Sequence, residues 1–160
     1  MAYEPGWWLP RYCAGRSSDL AGNMIDRPLK IYIFYCANSI DREVLRQCCG
    51  LQGNDLLQSV SLPCSGKLEL IYMLKTFETG ADGAVLITCP EGECRHLEGN
   101  LRAHKRAQAV RALLEETGLT RERMHVTHFD KEGQAEQIAS EIKHFSTRLR
   151  ATVWNQYHGI

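Results

Sequence analysis

The chain has 160 residues, enough for one domain with a hydrophobic core, and 19 lysine and arginine residues balance 19 aspartate and glutamate residues. A neutral chain lacks the excess positive charge that favours nucleic acid, so we expect no nucleic-acid partner. No apolar run approaches the roughly 18–20 residues that cross a bilayer, and the N-terminal segment lacks the features of a secretory signal. We therefore expect a cytoplasmic protein with no membrane span.

Seven cysteines are the main chemical clue in this composition. Thiols in the cytoplasm are kept reduced, so a disulfide framework is not expected there. Cysteine richness in such a protein points instead to metal or redox chemistry.

Regular patterns begin at Lys30, after a segment (residues 1–29) that is rich in proline and glycine and is expected to form an irregular arm. Short apolar runs predict strands at 31–35, 58–63, 83–88 and 124–129. Amphipathic spacing predicts helices at 41–49, 65–80, 100–117 and from 135 to about 150. Residues 30–150 then form the domain, and 151–160 are expected to form a C-terminal tail.

Strands that alternate with helices predict an α/β fold with a small parallel four-stranded sheet flanked by helices. Four strands suit a flavodoxin-like or half-Rossmann arrangement. In such folds, ligands bind outside the carboxyl ends of the strands, close to the point where the strand order reverses.

Four cysteines follow the predicted strands. Cys36 ends the first strand, Cys64 and Cys89 follow the second and third, and Cys94 closes the next loop. Because the carboxyl ends of parallel strands share one edge of a sheet, we expect the four thiols to converge there. Four thiolates are the usual ligands of an iron–sulfur cluster. They would also suit zinc, although paired Cys-x-x-Cys knuckles are missing, and inert buried cysteines are the third interpretation.

Several residues beside these cysteines are candidates for contacts with a bound cofactor. Ser65 and Gly66 follow Cys64 at a predicted helix start, where free backbone N–H groups point outward. Gly92 permits a tight loop with exposed N–H groups, and Arg95 and His96 add positive charge. Hydrogen bonds of this kind tune the potential of a cluster.

Three sequence blocks at these positions carry a resemblance to a known family. They are Cys64-Ser65-Gly66, Gly80-Ala81-Asp82-Gly83-Ala84 and the run from Cys89 to Asn100. The blocks resemble the delta subunit of methyl-viologen-reducing hydrogenase, whose pattern runs Cys-Ser-Gly, Gly-Ala-Asp-Gly-Val and Cys-His-x-Gly-Asp-Cys-His-Tyr-x-x-Gly-Asn. The resemblance extends over about residues 30–145.

The resemblance implies a non-catalytic [2Fe–2S] subunit, with Cys36, Cys64, Cys89 and Cys94 as the expected ligands. Such a protein relays electrons to or from a heterodisulfide-reductase A-like flavoprotein. Its other partner is an upstream oxidoreductase module of the hydrogenase, formate dehydrogenase, NADH or methylenetetrahydrofolate reductase type.

One position departs from the family pattern. The family opens its first loop with Cys-Asn-Trp-Cys, whereas this chain has Cys36-Ala37-Asn38-Ser39. Either the Ser39 oxygen replaces a thiolate ligand, or the four remaining cysteines are the full set, which is the expectation adopted here. His96 is a further candidate ligand, because imidazole replaces thiolate in some clusters.

Other functions are compatible with parts of the pattern. A structural adaptor without a cluster, bridging the same partners, would be colourless. A thiol enzyme would use Cys94 as nucleophile beside His96, but an i, i+2 pair with no third orienting group is poorly suited to that chemistry. An FMN-binding flavodoxin would need a phosphate-cradling loop where this chain has cysteines.

The remaining cysteines and the terminal aromatic residues are assigned as follows. Cys48 and Cys49 are expected to pack in the core, because adjacent helical residues cannot both face one cluster. Cys13 has no assigned role. The arm that contains Trp7 and Trp8 either folds back on its own domain or packs on a partner chain, and packing on the flavoprotein is the expectation.

Overall fold

The computed structural model describes residues 27–50, 53–129 and 135–158. Within these ranges the strands are β1 (Lys30–Cys36), β2 (Leu56–Leu62), β3 (Gly83–Thr88) and β4 (Met124–His128). The helices are α1 (Arg42–Gly50), α2 (Leu70–Glu78), α3 (Gly99–Glu116) and α4 (Ala135–His158), with single 3-10 turns at Ser65–Lys67 and Arg121–Arg123. The strands form one all-parallel sheet, which confirms the predicted fold class.

The strand order is β2-β1-β3-β4, which matches the first four strands of the flavodoxin-like order. The chain moves outward from β1 to β2 and then crosses back to add β3 and β4 on the other side. The order therefore reverses between β1 and β3. The crevice beyond the carboxyl ends of these two strands is where such sheets bind ligands.

Helices cover both faces of the sheet. On one face, α1 and α4 pack on alternate residues of the central strands, such as Ile33 and Ile87. On the other face, α2 and α3 pack on the intervening residues, such as Phe34 and Leu86. All six residues of β3 are buried, as expected for a parallel strand covered on both sides.

Two buried carboxylates close the amino end of the sheet. Asp82 accepts hydrogen bonds from both terminal nitrogens of Arg27 at 3.0 and 2.5 Å and from the N–H of Lys30 at 2.9 Å. Asp55 accepts a hydrogen bond from Arg150 Nη2 at 2.6 Å. These bonds join the start of β1 to the loop before β3, and the loop before β2 to α4.

Two segments differ from the prediction, while the other element boundaries agree to within two residues. The segment predicted as one helix from residue 65 is a 3-10 turn followed by α2, because Glu69 between them is extended (φ −83°, ψ 151°). The prediction of a tail at 151–160 was wrong for most of its length, since α4 continues to His158. The apolar face of α4 continues through the buried Val153, and neither proline nor glycine interrupts it before residue 159.

The predicted N-terminal arm, with Cys13, Trp7 and Trp8, lies outside the described residues except for 27–29. The division of the chain into an arm at 1–29 and a domain that begins at residue 30 stays a prediction. Among the helices that the structure describes, none has the length and apolar character needed to cross a membrane.

Candidate functional site

Two of the four candidate cysteines meet at the reversal of strand order. Cys36 is the last residue of β1, and Cys89 directly follows β3. Their sulfur atoms lie 3.6 Å apart, and both residues are buried. The adjacent central strands therefore deliver a close thiol pair to the crevice, as the sequence predicts.

The other two cysteines form a second pair beside the start of α3. Cys64 directly precedes the first 3-10 turn, Cys94 lies five residues before α3, and their thiols hydrogen-bond to each other. Gly99, the first residue of α3, lies against both sulfurs. A Cβ atom at Gly99 would be only 2.5 Å from Cys64 Sγ and 3.2 Å from Cys94 Sγ.

The two pairs are close enough to influence one another electrostatically. Burial, together with the hydrogen bond and charge of Cys36 and the charges of Cys94 and Cys64, raises the pKa of Cys89 to about 12. Burial also raises the pKa of Cys64, and the charges of Cys94 and Cys36 add to this effect. Thiolates gathered in this way repel each other, so the fully ionised set needs bound positive charge.

Cys94 has the opposite tendency. Burial raises the pKa of its thiol, but hydrogen bonds from the backbone N–H groups of His96, Asn100 and Gly99 outweigh burial and leave the pKa below its ordinary value. Free N–H groups at a helix start favour negative charge in this way. The start of α3 therefore stabilises a thiolate at Cys94.

Further hydrogen-bond donors surround the thiols. The N–H of Gly66 points at the Cys64 sulfur. The side-chain amide of Asn38, a residue that the sequence analysis did not single out, lies 3.9 Å from Cys36 Sγ. The Ser65 hydroxyl is buried and has no hydrogen-bond partner within the described part of the chain. An orphaned hydroxyl next to a thiol pair is a donor available to a bound sulfide.

The structure separates the five predicted cofactor-contacting residues into two groups. Ser65, Gly66 and the backbone of His96 lie beside the Cys64–Cys94 pair. Gly92 lies in an exposed turn with φ +83°. The Arg95 side chain is exposed and makes no hydrogen bond or ion pair with the described residues.

The sequence analysis did not predict the structural role of Gly99 and Asn100. A Cβ at Gly66 would lie 2.7 Å from the Gly99 Cα atom, so the two glycines let the 3-10 turn and α3 touch through their backbones. Asn100 Nδ2 donates to the carbonyls of Pro90 at 2.9 Å and Cys89 at 3.3 Å, which fixes the loop between the pairs. The Gly-Asn that ends the third sequence block was the available signal.

Ser39 has partners other than the thiols. Its buried hydroxyl donates to the carbonyl oxygen of Thr88 at 3.0 Å and also contacts the carbonyl oxygen of Phe129. The hydroxyl thus ties the first loop to the ends of β3 and β4.

The prediction that Cys48 and Cys49 pack in the core is confirmed. Cys48 is completely buried between α1 and α4, and its thiol donates to the carbonyl of Ala135 at 3.1 Å. Cys49 packs partly buried against the same core.

The arrangement of donors distinguishes between kinds of metal site. Within the described ranges, no group of three or more His, Cys, Asp or Glu side chains is arranged to hold a metal ion. The thiols form two close pairs instead of one tetrahedral set. A binuclear [2Fe–2S] cluster takes two protein ligands on each iron, so the two pairs, the N–H donors and the orphaned Ser65 hydroxyl fit that group better than a single zinc ion.

Comparisons with known proteins identify a hydrogenase subunit family and relatives that are named as iron-sulfur subunits. The family described as methyl-viologen-reducing hydrogenase, delta subunit, matches residues 31–152. An iron-sulfur subunit of the vhu F420-non-reducing hydrogenase of Methanocaldococcus jannaschii is 32% identical over 90 residues, covering 56% of this chain and 66% of that protein. Its counterpart in Methanopyrus kandleri is 30% identical over 91 residues, covering 57% and 68%.

A similarity of another kind is to a much longer protein. A polypeptide of the ferredoxin:CoB-CoM heterodisulfide reductase of Methanosarcina mazei is 28% identical over 86 residues, which cover 54% of this chain and 11% of that protein. The alignments to the two hydrogenase relatives leave about a third of those proteins unmatched. With most of its length matched by the family model, the chain belongs to the methyl-viologen-reducing hydrogenase delta-subunit family.

Proposed function

We propose that this chain is a non-catalytic subunit that holds a [2Fe–2S] cluster and relays electrons between an oxidoreductase module and a heterodisulfide-reductase A-like flavoprotein. The observation that carries the proposal is the pair of thiol pairs at the carboxyl edge of the sheet. When bound, the cluster supplies a one-electron redox centre.

The four cysteines would be the ligands, with Cys36 and Cys89 as one pair and Cys64 and Cys94 as the other. Ser39 is not needed, because two complete pairs are present and its hydroxyl is engaged with main-chain carbonyls. The same engagement argues against the cluster-less adaptor, whose main support was the serine at this position.

The residues around the four cysteines shield the thiols from water and donate hydrogen bonds to them. Burial of Cys36, Cys64 and Cys89 keeps water from three of the thiols. The start of α3 donates N–H groups to Cys94, and Ser65 offers a hydroxyl. Donors of this kind stabilise the more negative, reduced form of a cluster and so raise its potential.

The partners are proposed from the names of the relatives. The two hydrogenase relatives are named as iron-sulfur subunits. In the Methanosarcina mazei relative, a segment similar to this chain forms about a tenth of a larger heterodisulfide reductase polypeptide. The presence of both parts in one polypeptide supports docking of this chain onto a separate heterodisulfide-reductase A-like flavoprotein. We propose that the two proteins meet in the cytoplasm.

The test is iron and sulfide analysis of the full chain prepared without oxygen, with EPR of the reduced protein. We expect two irons and two sulfides per chain, and their loss in Cys36→Ala, Cys64→Ala, Cys89→Ala and Cys94→Ala. Cys48→Ala is the matched control, because it removes a buried thiol that lies outside the pairs. Stoichiometric zinc without iron, or a colourless protein, would contradict the proposal.

A further inference from the structure

Exposed apolar side chains concentrate at the edge of the molecule that carries the thiols. The large apolar residues that are exposed in the described ranges are Ile71, Tyr72, Leu97 and Leu101, hereafter the apolar edge. Ile71 and Tyr72 lie in the first turn of α2, Leu101 lies in the first turn of α3, and Leu97 lies in the loop just before α3. Both helices follow parallel strands, so both begin at the carboxyl end of the sheet, and they pack against the same face.

Leu97 is the most unusual member of this group. It is 87% exposed, and its φ of +61° is the sole positive value among the described non-glycine residues. Its N–H donates to the carbonyl of Cys94 at 2.9 Å, which places it in the loop between that thiol and α3. A left-handed backbone is unfavourable for a leucine, its exposed side chain contributes no burial in return, and such outliers gather at functional sites.

A basic cleft borders the apolar edge. Its volume is about 440 Å³, and Cys64 and Gly99 contribute to its wall. Lys67, Arg102 and Arg106 line it with a single carboxylate, Glu69. Arg106 is fixed by hydrogen bonds to the carbonyls of Gly66 and Leu68 at 2.7 and 2.9 Å.

The described residues neutralise the cations of this cleft only weakly. Arg102 lies 3.7 Å from Glu98, and both side chains are about two-thirds exposed, so the pair is loose and screened by water. Lys67 is exposed. Positive potential therefore extends outward beside Cys64.

We propose that the apolar edge and the basic cleft form the surface that docks the electron-transfer flavoprotein, and that this partner presents an apolar centre flanked by carboxylates. The inference rests on the proposed function. An apolar centre with a charged rim is the usual composition of a specific interface, and opposite charge accelerates encounter. The surface adjoins Cys64 and Cys94, so docking there brings a partner next to one thiol pair.

Two substitutions with matched controls test the surface in the full, cluster-loaded chain. Leu97→Gly removes the side chain while accepting the positive φ, and Leu97→Met keeps an apolar side chain at the same position. Lys67→Glu reverses a charge in the cleft, and Lys143→Glu makes the same change at an exposed position of α4, on the opposite face of the sheet. The probe is the heterodisulfide-reductase A-like flavoprotein of the same organism, purified separately.

We expect Leu97→Gly to weaken flavoprotein binding about tenfold or more, as for a central interface residue, and Leu97→Met to bind as the parent does. Lys67→Glu should slow association about tenfold at low ionic strength and much less at high ionic strength. Lys143→Glu should change neither. Iron and sulfide content should be equal in all five proteins.

Several results would overturn the docking surface. The docking surface would be contradicted if both Leu97→Gly and Lys67→Glu bound the flavoprotein as the parent does. The proposed electron relay would then be tested by the iron and sulfide analysis alone. Loss of self-association without loss of flavoprotein binding would assign the apolar edge to a second copy of the chain. If deletion of residues 1–26 tightens flavoprotein binding while Leu97→Gly has no effect, the N-terminal arm of the chain itself covers the apolar edge. An iron-free chain whose binding still depends on Leu97 would reject the relay and support the docking surface.

Discussion

The two ends of the sheet have opposite kinds of polar chemistry. At the amino end, Asp82 and Asp55 are buried, and their oxygens accept hydrogen bonds from Arg27, Lys30 and Arg150. At the carboxyl end, burial and the neighbouring cysteines raise the pKa of Cys89 and of Cys64, and a buried serine hydroxyl has no partner in the described part of the chain. The polar groups at the amino end are satisfied within the chain itself, whereas the groups at the carboxyl end are those that the proposed cluster would engage.

Two glycines show the same difference in detail. A Cβ at Gly83, at the amino end, would lie 2.5 Å from Leu149 Cδ2 and 2.9 Å from Phe145 Cζ. A Cβ at Gly99, at the carboxyl end, would collide with Cys64 Sγ. Both residues belong to the blocks that resemble the family. Gly83 leaves space for side chains of the hydrophobic core, whereas Gly99 leaves space for the cysteine sulfur atoms.

The largest effect is expected from Asp82→Ala. This change removes the buried carboxylate that accepts the Lys30 N–H and pairs with the Arg27 guanidinium, which should lower the free energy of unfolding by about 3 kcal/mol. Urea unfolding of the full chain measures the loss. Glu43→Ala is the control, because it removes a largely exposed ion pair with Arg46 and should leave the urea unfolding curve almost unchanged. An altered pH dependence of Cys94 alkylation in Asp82→Ala would show that the two ends are not independent.

Gly99→Ala should have a smaller effect on stability and a larger one on thiol chemistry. The added methyl group must displace Cys64 or the start of α3, at a cost of about 1–2 kcal/mol. The N–H groups that lower the pKa of Cys94 would move away from its sulfur, so in the metal-free protein the alkylation of Cys94 should shift to higher pH. Gly83→Ala is the matched control at the amino end. It should lower the free energy of unfolding by a similar amount and leave the pH dependence of Cys94 alkylation unchanged. The same pH dependence in Gly99→Ala and Gly83→Ala would contradict the conclusion that only Gly99 affects the thiols.

The fold was predictable because its signals are local and consistent. Each strand is a short apolar run, and the apolar spacing of α4 from Ala135 to Leu149 matches its buried face. The end of α4 was not predictable in the same way. After Leu149 the buried apolar face continues only at Val153, and contacts far along the chain, such as the hydrogen bond from Arg123 to Gln156, help to hold the last turns.

The thiol edge was predictable for a different reason. Parallel strands bring Cys36, Cys64 and Cys89 to one end whatever lies between them, so topology alone supplies the convergence. The pairing of Cys36 with Cys89 and of Cys64 with Cys94 depends on strand order and on the Gly66–Gly99 contact, neither of which has a local signature. The strained Leu97 is likewise visible only in three dimensions.

Ser39→Ala tests whether the carboxyl end also contains a purely structural residue. The Ser39 hydroxyl donates to the carbonyl of Thr88, which also accepts the N–H of Phe129 at 3.2 Å and so keeps one partner after the change. The cost should therefore be about 1 kcal/mol, the net contribution of one hydrogen bond. Iron and sulfide content should equal that of the parent chain, because the four cysteines are untouched. Loss of iron to the level of Cys36→Ala would make Ser39 a ligand, and Ser39→Cys would then be expected to restore the cluster.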